Sequence, residues 1–405
     1  MRRSAAQAVI GHLKDFFNSK REVVDAWRRD FLPRLMSGVV QSEGLVITEI
    51  VRNAFRTEDE FVAGYKAFSR HLNSPVWDRH ERRLQEAVER EWGRRVREMT
   101  PVVVDEGDLA KPYAKKMEHL GWILDGDTKA VTPGYGCFES YAVETPEAPH
   151  PLVNFVYSLN REETPSRQHA RRIGYARITE ATQGRGVVVA DRGFDGDDNF
   201  QDLNDHNLRW LIRLVGNREL RDASGESLGI VEDFVATWRL NHVMKAPGAW
   251  KDGEELGVWV AYDFMEVRLP AVKGRYWLIA VRRCMAPAEG GMYLLTTVPI
   301  LQATDAERMI AYYHHRWRVE DSIRVVKSAL GMEGVRALNF RALRRLVMTC
   351  YWVMGILSQL RVRLTARQLQ VLTHRGGFFR HRIPRLLHYR LLAGIQWVIE
   401  KSGVT

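Results

Sequence analysis

Two short apolar segments of the chain each end in an aspartate. Residues 102–104 precede Asp105, and residues 187–190 precede Asp191. Apolar runs of this length predict buried β-strands. Strand ends in an α/β sheet bring together side chains that lie far apart in the sequence. We therefore expect Asp105 and Asp191, each placed as the first residue after its strand, to share one site.

Neighbouring acidic side chains are alternatives for both positions. They are Glu106, Asp108, Asp195, Asp197 and Asp198. The two strand-end aspartates are favoured because a strand holds a side chain more rigidly than a loop does. Aspartate is also a common turn residue after a strand, so a purely structural role accounts at least as well for either aspartate taken alone.

Strand and helix patterns alternate over residues 99–216, which predicts a mixed α/β sheet. The strand candidates in this region lie at 102–104, 135–143, 152–159, 187–190 and 209–215, and the helix candidate lies at 166–182.

Residues 217–302 change this pattern. Strand candidates follow one another there without an intervening helical pattern, which predicts a β-rich insertion. These candidates lie at 228–240, 257–269, 275–283 and 291–298.

The two ends of the chain are predicted to be helical. They are an N-terminal region, residues 1–98, and a C-terminal region, residues 336–405. The apolar run 346–357 in the latter is too short to span a bilayer and predicts a buried helix.

A long helix is predicted within residues 303–335. Thr304 and Glu307 have the spacing of a capping box at its start, and Gly331 suits its C-terminal end. At about 100° per residue, an ordered polar column forms beside an apolar stripe. The column consists of Tyr313, Arg316, Glu320, Arg324 and Lys327. A carboxylate among cations suits a place where metal and phosphate meet; the alternative is an exposed helix with i,i+4 ion pairs.

The charge of the chain is positive and uneven. The net charge is +10 and the pI is about 9.5, which favours a polyanionic partner such as nucleic acid. Residues 331–405 hold thirteen lysines and arginines against two acidic residues. This basic segment is a candidate phosphate-contacting surface, and a solvated helical face is the alternative.

Cysteine usage indicates a reducing environment. Cys137, Cys284 and Cys350 are widely separated, which argues against a disulfide framework and against a zinc knuckle. The N-terminus lacks the apolar segment of a signal peptide, so the expected location is the cytoplasm.

The spacing of the polar column resembles the Tyr-Arg-Glu-Lys signature of a bacterial insertion-sequence transposase family. The order, residue types and gaps of two, three and six residues all match at Tyr313, Arg316, Glu320 and Lys327. Residues 187–195 resemble the motif of the family's second aspartate, and residues 102–112 resemble that of its first. The resemblance covers roughly residues 100–335.

The resemblance implies an RNase H-like core with a catalytic triad of Asp105, Asp191 and Glu320. Residues 99–216 would form the first part of this core, and 303–335 would add the helix that carries the glutamate. The three carboxylates would hold two Mg²⁺ ions, with Mn²⁺ as a substitute, because hard cations prefer oxygen ligands. Two such ions activate the attacking oxygen and stabilise the leaving oxygen.

The same resemblance implies DNA contacts along the helix. The residues predicted to bind DNA are Tyr313, Arg316, Trp317, Arg324 and Lys327. Arginine binds phosphate bidentately and lysine acts as a point charge. Trp317 is a candidate for stacking on DNA or for packing. In the family an aromatic residue of the insertion holds a flipped base, for which Trp238, Trp259 and Trp277 are candidates, with core packing as the alternative for each.

The predicted function is cut-and-paste DNA transposition. The expected partners are double-stranded DNA, as terminal inverted repeats and as target, and a second copy of the chain in a synaptic homodimer. The N-terminal helices and the basic C-terminal region would recognise the ends; no membrane is involved, and the protein would act at the nucleoid. One alternative is an RNase H-like nuclease without strand transfer, which the column disfavours. Another is an inactive DNA-binding descendant, which the complete triad disfavours.

Overall fold

The computed structural model describes most of the chain. Residues 1, 21–25, 43, 56, 248–249, 252–253, 256, 286–290, 376–386 and 403–405 are outside the described part. Residues 376–386 and 403–405 belong to the predicted basic C-terminal region, so that prediction falls partly outside the described residues.

The helices and strands are numbered in chain order. The helices are α1 (Arg2–Asn18), α2 (Ala26–Gln41), α3 (Ile47–Ala54), α4 (Glu58–Asn73), α5 (Asp78–Gly93), α6 (Arg167–Thr182), α7 (Asp197–Asp205), α8 (Val231–Thr237), α9 (Ala303–Arg324), α10 (Phe340–Arg363), α11 (Ala366–Arg375) and α12 (Leu387–Ser402). The strands are β1 (Pro101–Ala110), β2 (Gly121–Leu124), β3 (Val131–Ala142), β4 (His150–Tyr157), β5 (Val187–Ala190), β6 (Arg209–Arg213), β7 (Glu219–Asp222), β8 (Ser227–Ile230), β9 (His242–Ala246), β10 (Trp250–Lys251), β11 (Glu254–Glu255), β12 (Val258–Arg268), β13 (Tyr276–Arg283) and β14 (Met292–Thr296).

A mixed sheet forms the centre of the structure, with β1 in its middle. β1 is antiparallel to β3 and parallel to β5. β4 pairs with the far side of β3, and β6 continues in parallel beyond β5. The order β4-β3-β1-β5-β6, with its antiparallel and parallel halves, is that of an RNase H-like core. The predicted fold class is therefore confirmed.

Most strands of residues 217–302 extend this same sheet, whereas β10 and β11 pair with each other in a separate two-stranded sheet. β14 pairs antiparallel with β6, and β13, β12, β7 and β8 follow in that order. The strand predictions at 257–269, 275–283 and 291–298 are confirmed as β12, β13 and β14. The prediction of a strand over 228–240 is wrong after Ile230, because Val231 and Val235 are buried at helical spacing in α8.

The predicted capping box at the start of α9 is also wrong. The helix begins at Ala303, and no side chain caps it at Gln302. Glu307 instead accepts a hydrogen bond from the hydroxyl of Tyr262 on β12, at 2.8 Å. A tertiary contact has therefore replaced the local one. At the other end, Gly331 has a φ of +67°, the left-handed conformation predicted for the helix stop.

Helix α10 is the centre of the helical part of the protein. Every residue from 345 to 360 is buried, which confirms the prediction of a buried helix over 346–357. It packs against α1, α2, α4 and α12, and also against β4 of the sheet. Among the described residues, no helix has both the length and the apolar character required to cross a membrane.

Arg345 joins α10 to the N-terminal helices through a buried ion cluster. Its side chain is 3% exposed and donates hydrogen bonds of 2.8 Å to both Glu81 and Asp78. It also donates to three backbone carbonyls at the end of α4. Arg344 and Arg341 pair with the same two acids. Three arginines of the basic C-terminal region therefore neutralise acids within the fold.

We expect Arg345→Met to destabilise the protein strongly. Removing one partner of a buried ion pair costs about 3–5 kcal/mol, and the lower end applies here because Arg344 remains beside Glu81. Urea unfolding followed by circular dichroism measures the loss. Arg90→Met is the matched control: this side chain is 54% exposed, pairs with Glu86 within one helix, and should contribute less than about 1 kcal/mol. Equal losses in the two variants would contradict the prediction.

Candidate active site

The parallel pairing of β1 and β5 brings two aspartates together. Val103 on β1 lies opposite Val189 on the adjacent strand β5. Asp105 comes two residues after Val103, and Asp191 comes two residues after Val189. Asp191 is the first residue after β5, as predicted, and its Oδ1 accepts a hydrogen bond from the Gly193 amide at 2.8 Å.

Asp105 does not end its strand, so that part of the prediction is wrong. β1 continues through the polar residues 105–108 to Ala110, because β3 pairs with it over this whole length. Asp105 therefore lies inside a strand that is hydrogen-bonded to β3. Its position is more rigid than a strand end would provide.

Helix α9 places Glu320 and Arg316 over the two aspartates. The helix packs against both β1 and β5. Arg316 Nη1 lies 2.8 Å from Glu320 Oε1. Burial opposes the charge of Arg316, but its pKa is raised by the charges around it, which include those of Glu320, Asp105 and Asp191. Arg316 therefore lies between Glu320, with which it pairs, and the two aspartates, whose charges act on it.

The pKa of Asp105 reflects this crowding of negative charge. Burial, and after it the charge of Asp191, raise this pKa to about 6. Arg316 and the backbone amide of Glu106 oppose the rise. The site therefore disfavours the ionised form of Asp105, and a nearby cation would favour it.

The polar column is not uniformly exposed. Tyr313 is buried, with its ring centroid 6.0 Å from the guanidinium carbon of Arg316. The Arg316 side chain is 14% exposed, whereas those of Glu320 and Arg324 are 46% and 60% exposed. Trp317 is 39% exposed and contacts the ring of His314 edge to face. The exposed part of the column therefore begins at Glu320 and includes Arg324.

Lys327 lies beyond the regular helix. After Arg324 the backbone continues as a π-helical turn over Val325–Ala329, which shifts Lys327 away from the α-helical periodicity used to predict its position. Its side chain is 23% exposed, with Nζ 3.8 Å from Glu333. Single π-turns within α-helices occur frequently at functional sites.

Two of the competing acidic residues, Glu106 and Asp195, are engaged elsewhere. Successive residues of a strand point to opposite faces of the sheet, so Glu106 faces α6 while Asp105 faces α9. Glu106 is held bidentately by Arg171, at 2.9 and 2.8 Å. Asp195 is held by Arg218 at 2.6 Å and by the amide of Val215 at 2.7 Å. The structure thus favours Asp105 and Asp191 over these neighbours.

The donor set at the site is suited to a hard divalent cation. It consists of carboxylates, and the buried Nε of Arg316, whose Nη1 pairs with Glu320, makes no hydrogen bond within the described part of the chain. As placed, no group of three or more His, Cys, Asp or Glu side chains in the described residues is close enough to hold a metal. Glu320 is turned towards Arg316 instead. The residues fit a metal in chemistry, and Glu320 would have to exchange its partner to bind one.

The three tryptophans of the insertion differ in exposure. Trp259 is 55% exposed. Trp238 and Trp277 are partly buried against the core, and the Trp238 ring lies 5.4 Å from that of Phe234. Of the three candidates for stacking on a base, Trp259 presents the most accessible ring.

Two residues near the site were not predicted from the sequence. Arg171 also donates to the carbonyl of Gly193 at 3.2 Å and covers the ring of Phe194 at 4.2 Å, so it ties the Asp191 loop to β1. Glu139 lies opposite Asp105 on β3. A charged residue within the apolar run 135–143 is a signal that could have revealed Glu139; no comparable signal exists for Arg171.

We expect Arg171→Met to loosen the loop that carries Asp191. Hydrogen bonds to a charged group contribute roughly 1.5–3 kcal/mol, and this side chain makes several while only 13% exposed. Arg172→Met is the control on the same helix. Arg172 also pairs with an acid, Asp202, but its side chain is 55% exposed. The Arg172→Met variant should therefore lose less than about 1 kcal/mol in free energy of unfolding. Chemical unfolding of both variants measures the loss in free energy of unfolding. A larger loss for Arg172→Met than for Arg171→Met would contradict the prediction.

No curated protein matches this chain. A solved structure, the cryo-EM structure of a piggyBac transposase synaptic complex with hairpin DNA, aligns with 92% of this chain and 71% of its own, at 10% identity and a TM-score of 0.45. The family model described as the transposase DDE domain matches residues 152–355, half of the chain, and this match contains Asp191 and Glu320 while Asp105 precedes it. The chain therefore belongs to the transposase DDE domain family.

Proposed function

We propose that the protein is a cut-and-paste transposase of the bacterial insertion-sequence kind. It cleaves DNA at the ends of a mobile element and joins the freed ends to target DNA. The observation that supports this proposal is the parallel pairing of β1 and β5, which brings Asp105 and Asp191 together under α9, the helix that carries Arg316 and Glu320. An anion-binding arginine beside clustered carboxylates suits the transfer of a phosphoryl group.

The carboxylates of Asp105, Asp191 and Glu320 would hold two divalent cations, Mg²⁺ or Mn²⁺. Such ions supply an activated oxygen nucleophile and stabilise the leaving oxygen in an in-line displacement. Before cations bind, Arg316 shields Glu320 from the negative charge of the two aspartates. Glu320 therefore has a partner both without cations, when it pairs with Arg316, and with them, when it would bind a cation. Once Glu320 binds a cation, the guanidinium group of Arg316 would be free to bind a phosphate oxygen.

The exposed side chains of α9 supply the DNA contacts in this proposal. Arg324 is the most exposed cation of the column, and Trp317 offers part of a ring for stacking. Lys327 would contact a phosphate from the π-turn. Tyr313 is buried, and its proposed role is to support Arg316 from below. Trp259, on the insertion, would hold an unpaired base.

Cleavage at both ends of an element requires two active sites. We therefore propose a homodimer that binds terminal inverted repeats and target DNA at the nucleoid. Residues 1–98 and the basic residues 336–405 would recognise the ends, with residues 99–216 and 303–335 as the catalytic core and 217–302 as the insertion. The net charge of +10 supports a polyanionic partner.

Strand cleavage by triad variants tests the catalytic assignment. We expect Asp105→Asn, Asp191→Asn and Glu320→Gln each to lower the rate by at least about 10³-fold, because an amide cannot replace a carboxylate in binding a hard cation. Labelled duplexes that contain the DNA flanking the chain's own coding sequence are incubated with Mg²⁺ or Mn²⁺ and separated on denaturing gels. Glu226→Gln, an exposed carboxylate on the β7–β8 turn, is the control and should cleave at the wild-type rate.

The products distinguish the proposed function from its alternatives. Cleavage at the element boundary together with joined products supports transposition. Cleavage without joined products favours a nuclease. If wild type and all triad variants bind DNA equally tightly and none cleaves it, the enzymatic assignment is contradicted. That result would favour a DNA-binding descendant.

DNA binding at different salt concentrations tests the column. Arg324→Ala should weaken binding and reduce the slope of log K against log salt by about one, since one phosphate contact is lost. Arg308→Ala is the control on the same helix, about 24 Å away along the axis at 1.5 Å per residue. Its side chain is also exposed, at 45%. Fluorescence anisotropy measures the binding constants. Equal slopes of log K against log salt in the two variants would show that Arg324 does not contact a phosphate.

A further inference from the structure

The outer face of α5 presents arginines that are not neutralised within the fold. Arg79, Arg82 and Arg83 are exposed, and none of their side chains makes a hydrogen bond or an ion pair with any described residue. At about 100° per residue, all three project about 100° or more away from Leu84 and Val88, which are buried. Arg79, Arg82 and Arg83 together form the arginine face of α5.

The sequence does not indicate this face, because α5 is acidic overall. Residues 78–93 hold four arginines against five acidic residues. Four of these acids pair with cations from other parts of the chain: Asp78, Glu81, Glu89 and Glu91. Their partners include Arg345 on α10, Arg177 on α6 and Lys20 after α1. The fifth acid, Glu86, makes an exposed pair with Arg90, which contributes little. The fold therefore neutralises the inner, acidic side of α5 and leaves the outer side positive.

Helix α5 is fixed in this orientation by its contacts with α6. Arg177 on α6 donates two hydrogen bonds to Glu89. At the C-terminal end of α5, Gly93 lies so close to α6 that a Cβ atom there would collide with the carbonyl oxygen of Ala181. A fixed helix loses little conformational freedom when it binds a partner, which favours binding.

The charge of the arginine face is complementary to a nucleic-acid backbone. Arginine binds phosphate oxygens bidentately. Duplex DNA carries one negative charge per about 1.7 Å of its axis. Arg79 and Arg83 are about 6 Å apart along the axis of α5 at 1.5 Å per residue, with Arg82 between them. The three side chains can therefore reach several phosphates of one duplex.

The arginine face is remote from the candidate active site. α5 packs against α6 and β4, whereas α9 packs against β1 and β5. In the order of the sheet, β3 lies between β4 and β1. A contact between DNA and the arginine face therefore changes how tightly DNA is held without changing the carboxylates that would act on it.

We propose that Arg79, Arg82 and Arg83 form a surface that binds the phosphate backbone of double-stranded DNA away from the catalytic carboxylates. Backbone contacts carry no sequence information, so this surface holds element ends and unrelated DNA alike. The inference rests on the proposed function, which supplies DNA as the partner. It goes beyond that proposal by assigning one helix face and a mode of binding within residues 1–98.

DNA binding by a triple variant, Arg79→Gln with Arg82→Gln and Arg83→Gln, tests the inference. We expect the slope of log K against log salt to fall by about two to three, because about three phosphate contacts are lost. The fall should be the same for a duplex that contains an element end and for an unrelated duplex of equal length. The cleavage rate at saturating DNA should stay within about twofold of wild type. Fluorescence anisotropy measures the binding constants, and denaturing gels measure the rate.

Two matched variants serve as controls. Replacing the same three arginines by lysine keeps the charges and should change the slope by less than about one. Replacing three other exposed cations by glutamine should leave the slope unchanged; they lie at the connection from β12 to β13 and are Arg268, Lys273 and Arg275. Substitutions of exposed side chains cost little stability, so thermal unfolding of every variant should resemble that of wild type.

The outcomes separate this inference from the proposed function. If wild type binds DNA and the triple glutamine variant keeps the wild-type slope, the arginine face is only a solvated surface, and the transposase assignment stands. A loss confined to the element-end duplex overturns the backbone mode of binding, and a loss of cleavage rate at saturating DNA overturns the remote placement. If wild type binds no DNA, the proposed function itself fails, and the role of the arginine face fails with it.

Discussion

Negative charge is concentrated on one face of the central strands, and the structure around it is arranged to stabilise that charge. Asp105 and Glu139 lie opposite each other on β1 and β3, and Asp191 follows the neighbouring strand β5. Burial, and after it the charge of Asp191, raise the pKa of Asp105, so both effects oppose ionisation there. A fold that keeps these carboxylates ionised must bring a cation to the same face. Helix α9 supplies one, Arg316, which pairs with Glu320.

The alternation of side chains along β1 separates the acid proposed to be catalytic from a structural one. Asp105 points towards α9, where its negative charge is exposed to Arg316 and to any bound metal. Glu106, one residue later, points towards α6, where Arg171 binds it bidentately. Two adjacent carboxylates therefore have different roles because a strand turns successive residues to opposite faces. The same distinction holds after β5, where Asp191 faces the site and Asp195 is neutralised by Arg218.

The sequence contained enough information to predict most elements of the core, since these depend on local patterns, whereas the catalytic roles of Asp105, Asp191 and Glu320 stay predictions. Apolar runs predicted β3, β4, β5 and β6, and the helical spacing of the column predicted that Glu320 and Arg316 lie on one side of α9. The length of β1 could not be predicted, because its polar half is a strand only through pairing with β3. The start of α9 was wrong for a similar reason: Glu307 bonds Tyr262, which is 45 residues away in the chain. The contacts of Arg345 and Glu139 are non-local in the same sense, and a single sequence does not reveal which distant residue compensates a buried charge.

Helix α10 connects the two parts of the protein through side chains six residues apart. Arg345 binds Asp78 and Glu81 of the N-terminal helices, while Tyr351 donates to Glu139 under the candidate site. The helix is buried on all sides between them, so it cannot shift without disturbing well-packed neighbours.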